Sequence, residues 1–246
     1  MATANGTSKN RRGALVERRP SRWARLHLPA IGHGARIAAA SGLLAAAVAG
    51  CTPKPLPVDF SGAPRQYRSG DYRDVYDRWT RHETVVHQLE LVLEVWSTYK
   101  SWDFREAYMA HYAELYGMED EARERVRQVN KDAAASAYEF VVTAQTNNYK
   151  WNDLEKKSSP WRLSLVDGLG RELYPEPIKV EKLPEMVERE FFPVKTPFTR
   201  MYTVRFARPA GGDGEFSGER SGTLALRVSG PFGRTDLVWT SKRQER

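Results

Sequence analysis

Two hydrophobic periods divide the chain. From Tyr72, apolar residues recur at spacings of three, four and seven: Tyr72, Tyr76, Trp79, Val86, Leu89, Leu93 and Trp96. One apolar stripe of this kind predicts a helix of about seven turns, with Asp71 as its N-cap. A second helix is predicted over Ser101–Tyr116, with Phe104, Tyr108, Tyr112 and Leu115 on one face and Gly117 as a left-handed stop. A third fits Glu119–Ala135, where Glu119, Asp120 and Glu121 suit the positive N-terminal end and Ala122, Val126 and Val129 form a thin apolar face. The short links between these helices predict antiparallel neighbours.

From Tyr138 the period becomes two. Phe140, Val142 and Ala144 alternate with Val141, Thr143 and Gln145; Trp161, Leu163 and Leu165 alternate with Arg162, Ser164 and Val166. Further on, Tyr202, Val204 and Phe206 are assigned to the core, with Met201, Thr203 and Arg205 on the other face. Leu224, Leu226 and Val228, then Leu237 and Trp239, complete the series, and Arg171–Tyr174 and Pro177–Val180 add short strands. About seven half-buried strands, punctuated by turns such as Gly168-Leu169-Gly170, match an immunoglobulin-like sandwich. The predicted class is α+β: a helical segment at 71–135, then an antiparallel β-sandwich at 136–246.

Charge changes the reading of the first fifth of the chain. The 246 residues carry a net charge of +7. Residues 1–50 hold eight Lys/Arg and one acid, Glu17, while the rest hold thirty of each sign. The basic excess is therefore confined to the N-terminus, and the remainder carries no electrostatic footprint for nucleic acid. After the basic stretch comes the apolar run Ile37–Gly50, 14 residues long. At ~1.5 Å per residue it spans about 21 Å, short of the ~30 Å hydrocarbon core. A basic region, a short apolar region and small residues at its end predict a secretory signal peptide over residues 1–50.

The apolar run ends in Val48-Ala49-Gly50-Cys51, and Cys51 is the single cysteine. One cysteine excludes an internal disulfide and a cysteine zinc finger. The tetrad resembles the lipobox of bacterial lipoproteins: an aliphatic residue, two small residues, then Cys. The resemblance implies that Val48, Ala49 and Gly50 are read by the signal peptidase. It also implies that cleavage follows Gly50 and that Cys51 carries acyl chains that anchor the mature protein to a membrane. Thr52 in place of Asp after that Cys resembles the outer-membrane default of two-membrane bacteria. Residues 51–70 hold prolines at positions 53, 55, 57 and 64 and no period. They are expected to form a stiff tether of roughly 3.1 Å per residue, with Val58 and Phe60 the positions at which it could pack instead.

The stretch Leu165–Pro175, followed by Tyr202–Phe206, resembles the immunoglobulin-like domains of bacterial envelope lipoproteins. That resemblance implies fold and address, not chemistry.

Candidate chemistry is sparse. His82 and His87 are five residues apart, about 140° around a helix, so they do not share a metal as a His-Glu-x-x-His pair does. No cofactor or metal is expected. Period leaves Trp102 and Trp151 unexplained, and Tyr149-Lys150-Trp151 falls in a polar loop. Tyr149 and Trp151 are the candidate ligand-binding residues, for a glycan or a peptide. The expected function is a non-enzymatic binding or scaffolding module with an envelope protein as partner. A glycan or peptidoglycan binder is the alternative, and an envelope hydrolase a third.

Overall fold

The structure is a computed structural model that describes residues 55–61, 63, 65–193, 196–209 and 216–241. The segment expected as a signal peptide, with Val48, Ala49 and Gly50, and the expected lipid site Cys51 lie outside the described residues. Among the described residues, no helix is long and apolar enough to cross a membrane. The class is α+β, with four α-helices and two antiparallel sheets among these residues.

The expected seven-turn helix is corrected. Helix α1 covers Tyr72–Trp79 only, and buries Tyr72, Val75, Tyr76 and Trp79. The chain then turns into strand β1 (Thr80–His87), reverses at Gln88-Leu89, and returns as β2 (Glu90–Tyr99). β-Branched residues explain the change: Thr80, Thr84, Val85 and Val86 in β1, and Val92, Val95 and Thr98 in β2, favour a pleated surface over a helix. A seven-residue spacing alone does not distinguish the two, and here it joined residues of different elements.

Helices α2 (Trp102–Leu115) and α3 (Asp120–Ser136) lie close to their expected bounds. The Ser101 hydroxyl caps α2 by accepting from the Phe104 N–H at 3.1 Å. Gly117, at φ +57°, supplies the left-handed stop. A fourth helix, α4 (Glu185–Phe191), was not anticipated; its Phe191 is buried against Tyr72 and Tyr108.

The remaining strands are β3 (Ala137–Thr146), β4 (Arg162–Asp167), β5 (Glu172–Leu173), β6 (Lys179–Val180), β7 (Arg200–Ala207), β8 (Thr223–Gly230) and β9 (Gly233–Thr240). One sheet has the order β1-β2-β3-β7-β6, the other β5-β4-β8-β9. The strand phase agrees with the period: Tyr202, Val204 and Phe206 are buried, as are Phe140, Val142, Leu224, Leu226, Leu237 and Trp239. Phe140 meets Trp239 across the two sheets at 5.4 Å.

Part of the outer face of the first sheet, around β3 and β7, is also covered. Val141 and Met201, on that face, are buried with Phe104 of α2 nearby. Glu139 of β3 fastens this helical layer: its carboxylate accepts from Lys100 and faces Arg105 at 3.2 Å. Burial works against the charged form of Glu139, but Lys100 and Arg105 outweigh it and hold the group below the usual carboxylate range.

The segment expected as a tether packs against the body at Val58, Phe60 and Tyr67. Val58 is 0% exposed, and its N–H donates to Thr240 O at 3.0 Å. Phe60 lies 5.9 Å from Trp79, and the Tyr67 hydroxyl donates to Asp103. Two apolar rings and a buried valine outweigh the stiffness of a proline-rich chain. The described residues belong to one compact unit.

Candidate functional site

The β1–β2 turn breaks two local rules at once. Gln88 and Leu89 adopt φ values of +49° and +69°, the double left-handed pair of a two-residue hairpin turn. Asn and Gly favour that geometry; Gln and Leu do not. Leu89 is also 100% exposed, and its neighbours Val86 and Leu91 are 59% and 45% exposed. An aliphatic tip on a strained turn costs stability without a gain inside the fold, which is the pattern of a functional surface.

Two further connections reach the same end of the body. The first runs from β3 to β4 and carries Tyr149–Trp151 as one 3-10 turn. Asn147 Nδ2 donates to Glu90 Oε2 at 3.3 Å, tying this connection to the hairpin. Asn152 is its buried root: Nδ2 donates to Ala144 O at 2.7 Å, and its side-chain oxygen accepts from the Tyr202 hydroxyl at 2.8 Å. The second connection is the β8–β9 turn, Pro231-Phe232. Phe232 is the hub, with His87 at 5.6 Å, Trp151 stacked at 4.8 Å and Trp161 at 6.4 Å. Gly233 keeps the hairpin close, because a Cβ there would stand 2.8 Å from Val85 Cγ1.

The two sequence-predicted site residues are therefore side by side but unlike. Tyr149 is 79% exposed. Trp151 is half-buried, with one ring face covered by Phe232. Sequence reasoning missed Leu89 and Phe232. The helical spacing places Leu89 in an apolar stripe. Phe232 follows a proline in a turn, where no period marks it. The usable signal for the hairpin was the β-branched clusters on either side of Gln88-Leu89.

The histidines serve elsewhere. His82 stacks on Trp96 at 4.6 Å and bonds Glu94 at 3.0 Å, while His87 meets Phe232. An odd separation along a strand sends the two side chains to opposite faces. Among the described residues, no group of three or more His, Cys, Asp or Glu is placed to hold a metal ion. Comparison with family models, curated proteins and solved structures returns no match to this chain.

Proposed function

We propose that the chain is a lipid-anchored protein of the bacterial envelope. It acts as a non-enzymatic binding or scaffolding module and meets an envelope protein through the end that carries Leu89. The observation that carries this reading is the aliphatic tip Val86, Leu89 and Leu91 on a turn strained at both central residues. The lipobox at Cys51 supports the address, with the outer membrane as the favoured leaflet.

The finer fold reading belongs to the same proposal: the two sheets are an immunoglobulin-like sandwich. Its support is the pairing order. β2-β3-β7-β6 corresponds to strands A-B-E-D, and β5-β4-β8-β9 to an added edge strand followed by C-F-G. Trp161, buried just before β4, stands where such domains keep their core tryptophan. In this correspondence the β3–β4 and β8–β9 connections are the B–C and F–G loops, which lie at the ligand-binding end of variable domains.

The anchored geometry suits a partner away from the membrane. The chain meets the body at Leu56 and Val58, beside Thr240 at the end of β9. Gly233, at the Leu89 end, begins the same strand seven residues earlier, about 24 Å away at ~3.4 Å per residue.

The test is capture from solubilised envelopes with the lipidated protein and with a Leu89→Asn variant. Asn tolerates the turn geometry and removes the apolar tip. Expected is a partner retained by the first and lost by the second, with equal melting temperatures or a higher one for the variant. Identical captures from both would sink the reading. A glycan reading is second and rests on the exposed Tyr149 ring; it ranks lower because Phe232 occupies one face of Trp151. Binding of soluble peptidoglycan fragments that is lost in Tyr149→Ala would favour it.

A further inference from the structure

Helix α3 is held to the body in an unusual way. It has 17 residues and none is buried. Its fastenings are polar. Arg127 Nη2 donates to Glu106 Oε1 at 2.7 Å, Arg105 Nη1 donates to Asn130 Oδ1 at 2.9 Å, and Arg208 Nε donates to Ala134 O at 2.9 Å. Under the helix, against α2, lies a cleft of about 300 Å³. Tyr108, Met109, Tyr112, Met118 and Val126 form its apolar wall. Volumes from ~300 Å³ upward with mostly apolar lining and few polar groups describe small-molecule sites. The thioethers of Met109 and Met118 add an adaptable surface.

The polar groups of the cleft specify the occupant further. Asn130 is committed: it accepts from Arg105, and its amide donates to Val126 O at 3.0 Å. Arg123 is not committed in that way. Its ion pair among the described residues is with Asp120 at 3.9 Å, beyond hydrogen-bond reach, and its side chain is half exposed. The neighbouring Arg127 is already paired to Glu106. The cleft thus offers an apolar interior and one cation on its rim.

We propose that the α2–α3 cleft binds a single-chain anionic amphiphile, a long-chain carboxylate whose chain lies against Tyr108, Tyr112 and Met118 and whose head pairs with Arg123. A bilayer does not fit this concave site between two helices; a dispersed monomer does. The proposal stands apart from the Leu89 end and from lipidation at Cys51.

Residues 53–246 suit the test, because every buried core residue of the described chain lies between Val58 and Trp239. Laurate displaces a fluorescent fatty acid from this protein, saturably and at one site. Arg123→Glu weakens laurate at least about tenfold, as loss of a charge partner and its replacement by a like charge should. The same change leaves uncharged dodecanol within about twofold, because the apolar wall is intact. Val126→Trp, which fills the cleft from an already exposed position, abolishes both while a cooperative melt persists. Absence of saturable displacement, laurate affinity unchanged in Arg123→Glu and Val126→Trp, or binding confined to phosphatidylglycerol vesicles would each overturn the proposal.

Discussion

Arg81 Nη2 donates to the carbonyl oxygen of Leu56 at 2.8 Å, and so clamps the first described residues to the start of β1. The same guanidinium donates to Val238 O at 2.7 Å and to Arg78 O and Thr80 O at 2.8 Å each. Arg81 is buried, and no carboxylate stands among these partners; the fork satisfies backbone acceptors where the edges of the two sheets, β1 and β9, come together. Burial lowers its pKa to about 10, so it remains charged at neutral pH. Arg81→Met removes the donor from these part-buried carbonyls and is expected to cost about 3 kcal/mol. Lysine keeps the charge but not the planar fork, so Arg81→Lys should fall between. Urea denaturation checks both; a loss under ~1 kcal/mol for the methionine variant would contradict the clamp.

The same relationship sets a limit on truncation. Residues 53–246 should melt cooperatively, whereas a chain beginning at residue 71 loses Val58, Phe60 and Tyr67 from the core and its margin. Removing a fully buried valine and a ring on Trp79 should cost several kcal/mol, out of a total of only ~5–15. Equal melting temperatures for the two chains would restore the tether reading.

Leu89→Gly should raise stability. Glycine adopts φ +69° without the steric cost that leucine bears, and no buried contact is lost because Leu89 is fully exposed. A gain of about 1 kcal/mol is expected, together with weaker partner capture. A variant that is destabilised would show that the leucine is held by the fold and not by function.

Asp167 makes stability fall in acid. Burial opposes its charge. This is outweighed by N–H donors from Ser217 at 2.7 Å and from Arg171 and Leu169 at 2.9 Å, and by the Arg171 side chain at 3.1 Å. Its folded pKa therefore lies below the unfolded value of about 3.9. The stabilisation is complete above that unfolded value and disappears as pH falls through the folded one. Asp167→Asn should be less stable at pH 7 by about 2 kcal/mol and should show a flatter decline below about pH 4. Parallel pH–stability curves for the two proteins would refute the assignment.

Cys51→Ala should abolish incorporation of a fatty-acid probe and leave a larger, uncleaved precursor, since the lipoprotein peptidase acts on the acylated cysteine. Labelling that persists in the variant would rule out the lipobox.

Some of this was legible from the residues alone, for a physical reason. Side chains alternate strictly along a strand, so Tyr202, Val204 and Phe206 had to share a face whatever lay opposite. Caps and stops are equally local, and Ser101 and Gly117 ended α2 where their chemistry required. Tertiary contacts decided the rest. Thr80–Tyr99 became a hairpin because its β-branched residues could pair with β3, a partner nearly forty residues on. Val58 left solvent because the end of β9 offered a backbone acceptor and a core. Tyr149 and Trp151 acquired different roles only when Phe232, some eighty residues further along, covered one ring and not the other. Such long-range pairings depend on where the chain returns, and no local period encodes that.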